Sequence, residues 1–206
     1  MGEQGDGRAR ATILVVCTGN VCRSPLLERL LQRGLDEAYG PGVVEVRSAG
    51  TGALVDHAMD ERAAALLTRL GGDPDGFLAR RLTPAMVAPA DLVLAATLDH
   101  RAQVVRAHPR ALKRTFTLGE LASILRHLDP AERPVATDAP ERLQELVAIA
   151  TAHRGTVPPE PWEDFDLVDP YRRGDEVYDA VEEAVRQDLP VVLDALGVSP
   201  DLGGRP

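Results

Sequence analysis

Two periods of hydrophobicity alternate along this chain. Ala11 to Val16 is an apolar run with a strand's length and β-branched content, and it predicts a first strand over about 12–16. The next apolar cluster, Leu26-Leu27-Glu28-Arg29-Leu30-Leu31, has amphipathic helical spacing and predicts a helix from about 25 to 39. Gly40-Pro41-Gly42 breaks the chain before a second strand over 43–47. Met59, Ala63, Leu66, Leu67 and Leu70 form one helical stripe, closed by Gly71-Gly72-Asp73-Pro74. A short helix follows Pro84, a third strand covers 92–96, and another helix follows Asp99. Residues 114–117 read as a short fourth strand, with a helix behind it from 118 to about 126. Such alternation implies right-handed crossovers and an α/β fold, with a four-stranded parallel sheet covered by helices on both faces.

Between His127 and Asp166 the alternation lapses. Asp129-Pro130, Arg133-Pro134 and Ala139-Pro140 punctuate a loop, and Glu141 to His153 reads as an extra helix. Pro158-Pro159-Glu160-Pro161-Trp162 follows as a stiff connector. The insertion, 127–166, has two readings: a lid beside the functional site or a surface elaboration. Trp162 reads as an anchor for it in preference to a substrate wall. The whole chain is expected to be one domain over 11–198, with a disordered extension, 1–10, and a disordered tail, 199–206.

The segment joining the first strand to the first helix carries the chemistry: Val16-Cys17-Thr18-Gly19-Asn20-Val21-Cys22-Arg23-Ser24-Pro25. Gly19 and Asn20 tolerate positive φ, so the chain can curl there and aim successive amides inward. Ser24 is a good N-cap and Pro25 suits the first helical position. The helix N-terminus then directs partial positive charge at the loop, and the planar fork of Arg23 can hold two oxygens of one oxyanion. An anion is favoured there twice over, as a bound phosphate and as a nucleophilic thiolate of Cys17. The loop lies at the carboxyl end of a central strand, where open α/β sheets bind ligands.

Other chemistries fit less well. No Gly-Lys-Ser/Thr follows the glycine, so the loop is no Walker-type cradle. Cys17 and Cys22 have no second cysteine pair, and His57, His100, His108, His127 and His153 form no paired ligand motif, so no metal site is expected. Composition narrows the partners. The net charge is −9, and eleven acids stand against three arginines between residues 160 and 188, which argues against a nucleic-acid surface. No stretch reaches the length of a membrane span, no signal peptide or myristoylation motif is evident, and two cysteines make no disulfide framework. A cytoplasmic protein without membrane contact is expected; the oligomeric state is not readable.

C-T-G-N-V-C-R-S-P resembles the C-x-x-G-N-x-C-R-S-P signature of the low-molecular-weight protein tyrosine phosphatases. Arg47-Ser48-Ala49-Gly50-Thr51 looks like that family's second strand and its exit, Asp91-Leu92-Val93-Leu94-Ala95 like its third, and Asp169-Pro170-Tyr171 like its D-P-[YF] acid motif. The resemblance implies the family's flavodoxin-like fold, no cofactor, and hydrolysis of phosphorylated protein substrates through a phosphocysteine. Cys17 would be the nucleophile, Arg23 and the loop from Thr18 through Ser24 (Gly19, Asn20, Val21 and Cys22 between them) the phosphate cradle, and Asp169 the general acid and then base. Asp164 and Asp166 are fallback acids. Asn20, Ser24 and Ser48 resemble the loop-bracing residues, while Phe77 stands where some members carry a bracing histidine.

The substrate is less legible. Tyr171 and Leu54 are expected as opposite cleft walls, Leu54 standing where members often place an aromatic. Phosphotyrosine is the leading substrate. Thr18 supports an alternative, because the family's bacterial protein arginine phosphatases share C-T-G-N, with Asp99 or Asp169 as partners for a guanidinium. Cys22 either packs under the loop or, as the resemblance implies, traps oxidised Cys17 as a disulfide. A thiol redox protein using Cys17 and Cys22 is a remoter reading, one that would not need Asp169-Pro170-Tyr171. A disulfide-relay arsenate reductase would need a further cysteine, and there is none.

Overall fold

The computed structural model describes residues 10–156, 165–199 and 202. The Pro158–Trp162 connector, Asp164 and most of both proposed tails lie outside the described residues. Four strands, β1 (Ala11–Cys17), β2 (Val44–Gly50), β3 (Leu92–Ala95) and β4 (Thr115–Thr117), pair in parallel in the order β2-β1-β3-β4. The order reverses direction at β1: the chain leaves β1 for β2, then crosses back over it to β3. That is the switch point where the helices on either side diverge and leave a crevice at the strands' carboxyl ends.

Seven α-helices accompany the sheet among the described residues: α1 (Arg23–Tyr39), α2 (Glu61–Arg69), α3 (Pro84–Val87), α4 (Leu98–Ala107), α5 (Leu118–His127), α6 (Ala139–His153) and α7 (Asp175–Ala195). The side chains of β1 divide between two cores by the strand period of two. Ile13 and Val15 join the large core formed with α1, α5 and α7, while Leu14 and Val16 join a smaller one with Val87, Val104 and Ala111. Every apolar residue from Ile13 to Val16 is buried, which explains a continuous apolar run where a one-sided strand would alternate.

Two expectations shift. The second strand runs on to Gly50, because Ser48, Ala49 and Gly50 keep register with Val15, Val16 and Cys17. The first helix opens at Arg23, with Cys22 in the capping position and no side-chain cap. Ser24 therefore sits inside the first turn, and its hydroxyl is spent on the loop.

The insertion takes a definite place where it is described. Helix α6 lies along the amino-terminal edge of the sheet, on the side away from Cys17. Thr151 donates to the carbonyl of Lys113, Arg154 donates to those of Leu112 and Thr115, and Arg142 donates to that of Ala195 at the end of α7. This placement removes α6 from any role as a lid. No helix among the described residues is long and apolar enough to cross a membrane.

Candidate active site

Cys17 is the last residue of β1, and the loop behind it is shaped by its carbonyls. Those of Cys17, Thr18, Gly19 and Val21 accept from the amides of Thr51, Gly52, Leu54 and Asp60, at 2.8–3.0 Å. Tying the carbonyls outward turns the alternate amides inward, and those of Gly19, Val21, Cys22 and Arg23 carry no hydrogen bond to a described residue. A curved row of free N–H groups at a helix N-terminus is an anion nest.

The curl falls on Asn20, with φ of 55°. Gly19 does not share the left-handed conformation expected of it; a β-carbon there would lie 3.4 Å from Val21 Cγ2. Asn20 is fully buried and three bonds hold it in its uncommon conformation. Its Nδ2 donates to Ser24 Oγ at 2.9 Å and Ser48 Oγ at 2.7 Å, and its Oδ1 accepts from the Arg80 amide at 2.8 Å. Ser24 Oγ lies 2.9 Å from Cys17 Sγ, and the Asn20 amide donates to the same sulfur at 3.3 Å. The Asn20 amide and the Ser24 hydroxyl thus converge on the sulfur.

The bracing network continues beyond the residues predicted for it. Ser48 donates to the Glu28 carboxylate, and Arg80 lies 3.5 Å from that carboxylate's other oxygen. Burial pushes Glu28 above the ordinary carboxylate value, while the Ser48 hydrogen bond and the Arg80 charge oppose it. Phe77 takes no polar part. Its ring is flanked by Arg29 at 5.9 Å and Arg80 at 5.8 Å, so its polar neighbours meet it through cation–π contacts.

Arg23 is buried beneath the nest. It donates to the Leu167 carbonyl at 2.9 Å, and its other terminal nitrogen lies 2.9 Å from Asp169 Oδ2. Its Nε has no partner among the described residues. The acid segment is anchored where the Leu167 amide donates to Ala96 at the end of β3, and it turns on a hydrogen bond from Arg173 N to the Pro170 carbonyl. Cys17, Thr18, Arg23, Leu54, Asp169 and Tyr171 line one cleft of about 140 Å³, so both predicted walls and the acid meet the nucleophile.

The other candidate acids are elsewhere. Asp166 accepts from the Leu98 amide at 2.7 Å and so caps α4, while Asp99 accepts from Gln103 within that helix. Cys22 is buried with its thiol pushed up to about 12, first by burial and then by the charge of Asp60. Both cysteines are free thiols.

Sequence reasoning passed over His100. Its ring is buried, with Nδ1 2.6 Å from Thr97 Oγ1 and Nε2 2.8 Å from Thr18 Oγ1. Burial, then the nearby Arg23 charge, lowers its pKa. The signal was Thr97-Leu98-Asp99-His100, a capping threonine directly after a strand whose carboxyl end adjoins that of β1.

A thiol at the base of an anion nest, at the carboxyl edge of a parallel sheet, fits the class of α/β enzymes with a phosphate-binding loop. The model of the low molecular weight phosphotyrosine protein phosphatase family matches residues 12–148. The low molecular weight protein-tyrosine-phosphatase Etp of Escherichia coli K12 is 43% identical over 109 residues, 53% of this chain and 70% of that protein. The tyrosine phosphatase Wzb from Escherichia coli K30, solved with sulphate, superposes with a TM-score of 0.63 at 29% identity, covering 92% of this chain and 100% of that one. The YwlE arginine phosphatase from Geobacillus stearothermophilus gives 0.63 at 26% identity, covering 91% and 93%. The chain belongs to the low molecular weight phosphotyrosine protein phosphatase family, a family of hydrolases.

Proposed function

We propose that this protein hydrolyses phosphotyrosine on protein substrates through a phosphocysteine intermediate. Cys17 Sγ attacks phosphorus in line, forming the S–P bond as the P–O bond to the tyrosyl oxygen breaks. Arg23 and the inward amides hold the equatorial oxygens and stabilise the charge that builds on them. Asp169 gives its proton to the departing oxygen, then takes one from the water that cleaves the S–P bond and returns Cys17 as thiolate. Ser24, 2.9 Å from the sulfur, stabilises that thiolate as it departs.

The observation that carries this reading is one juxtaposition. The thiol, met by the Asn20 amide and the Ser24 hydroxyl, faces, across a cleft of about 140 Å³, a carboxylate paired at 2.9 Å with a buried arginine. The ion pair marks where an oxyanion would lie, since phosphate and Asp169 compete for the same guanidinium face. Two unpaired cysteines that must stay reduced support action in the cytoplasm. Cys17→Ser should abolish turnover of an aryl phosphate, at least a thousandfold below wild type on the scale of removing a catalytic nucleophile. Retained turnover would sink the mechanism.

A second reading, phosphoarginine as substrate by the same steps, is favoured by one observation. Thr18 stands beside the nucleophile at the cleft mouth, with its hydroxyl turned away onto His100. Side-by-side rates on phosphotyrosine and phosphoarginine peptides separate the two.

A further inference from the structure

Among the described residues His100 makes no hydrogen bond to the thiol or the acid, yet its ring is held at both ends beside the cleft. Thr97 caps α4 by accepting the His100 amide at 3.2 Å, and the same oxygen lies 2.6 Å from ring Nδ1. The far nitrogen, Nε2, lies 2.8 Å from Thr18 Oγ1. With both nitrogens engaged and 5% of the residue exposed, the imidazole is a fixed post.

Thr18 is itself exposed, so packing does not choose its rotamer. The hydrogen bond does. In a β-branched side chain, fixing the hydroxyl fixes the methyl with it. The methyl is turned toward Gly52, where a β-carbon would lie 3.6 Å from Thr18 Cγ2. Gly52 and Thr18 both line the cleft, and the Gly52 amide donates to the Thr18 carbonyl at 3.0 Å.

We propose that His100 is a positioning residue for substrate selection: by anchoring Thr18 Oγ1 it holds the threonine methyl at the cleft mouth and sets the width of the leaving group that reaches Cys17. The inference rests on the phosphatase reading above and adds to it a residue that acts on the ratio between substrates. A planar aryl group meets the fixed methyl more severely than a slender alkyl guanidinium does. An untethered Thr18 can rotate the methyl aside, so loss of His100 relaxes selection toward aryl phosphates.

The test measures kcat/KM on phosphotyrosine and phosphoarginine peptides for wild type, His100→Ala, His100→Gln, Thr18→Val and the Thr18→Val/His100→Ala double variant. His100→Ala should raise the tyrosine-to-arginine ratio roughly three- to tenfold, the size of effect expected from contacting side chains. Thr18→Val keeps the shape but loses the anchor, so it should shift the ratio likewise, and the double variant should shift it no further. His100→Gln, whose amide reaches about as far as Nε2, should restore the wild-type ratio. A His100→Ala enzyme that slows on both substrates equally would overturn the proposal and leave the histidine a structural role.

Three-bond couplings to the labelled Thr18 methyl give a readout independent of turnover. They should report one rotamer in wild type and an average in His100→Ala, and averaging in wild type would overturn the anchor. Wild-type protein that turns over neither peptide while showing a single Thr18 rotamer would remove the phosphatase reading, and the selection role with it, but leave the anchor standing.

Discussion

On the proposed chemistry, Asp169 is the residue that must exchange its partner when an anion arrives. Its side chain is half exposed, and its pairing with Arg23 is the resting state of a guanidinium that the proposed chemistry assigns to phosphate. A half-exposed ion pair contributes little to stability, so an entering oxyanion displaces it at small cost and releases the carboxyl toward the leaving group. Asp169→Ala should therefore slow turnover of an alkyl phosphate, a poor leaving group, by roughly 10²–10⁴. A nitrophenyl ester, which departs without a proton, should lose far less. Equal losses on both would point to another acid. The pairing of Cys17 with Arg23 was legible because nucleophile and cation sit in one short loop, flanked by residue types that shape it. Asp169 was legible only beside that loop, since an aspartate before proline is otherwise a turn residue. His100 was not, because a lone histidine on an amphipathic helix carries no mark of the threonine it meets 82 positions earlier.

The loop owes its shape to three elements brought to one edge, and β2 supplies the tightest contact. A β-carbon on Gly50 would lie 2.3 Å from the Thr18 carbonyl oxygen and 3.0 Å from Ala53 Cα. Both are backbone, so neither can swing aside as a side chain would. Gly50→Ala must displace the peptide next to the nucleophile. It should lower kcat/KM by at least tenfold, since a misplacement of about 1 Å costs roughly 10²-fold at a preorganised site. Melting temperature should fall as well, and unchanged kinetics would show that the loop tolerates the shift. Hydrophobic period predicted the strands and helices because each buries a face, but it placed their ends by composition alone. Strand β2 reads as ending at Arg47, yet Ser48 continues it, fully buried and turned onto Asn20 and Glu28. Ser24 reads as a cap because the sequence shows a hydroxyl beside a proline and not the sulfur that claims it.

Across the whole molecule, the two edges of the sheet divide the work. Helix α6 binds the amino edge through Thr151 and Arg154, and the carboxyl edge carries buried groups whose ionisation is unfavourable. Those groups tie global stability to pH with signs that can be worked out. His100 has its folded pKa lowered from the ordinary 6.5, mainly by burial, so the unfolded chain binds its proton more readily. The stability it contributes is present above pH 6.5 and is lost as pH falls below that value. Cys22 has its folded pKa raised from 9.0 to about 12, again mainly by burial. Its contribution is complete below pH 9 and is lost as pH rises from there toward 12. Tyr178, raised by burial and by its hydrogen bond to Asp60, adds to the same alkaline loss. Glu28 is raised from 4.5, so its contribution declines as pH rises from that value and runs against the trend of His100. Absolute curves therefore mix signs on the acid side, and differences between variants separate them. Urea denaturation should show wild-type stability relative to His100→Gln shrinking as pH drops from 7.5 to 5.5, with a slope of at most about 1.4 kcal/mol per pH unit. Relative to Cys22→Ala it should shrink as pH climbs from 8.5 to 10.5, under the same limit. A flat difference on the acid side would mean that His100 titrates alike in both states, and a flat alkaline difference would mean that the space beneath the phosphate loop admits water to Cys22.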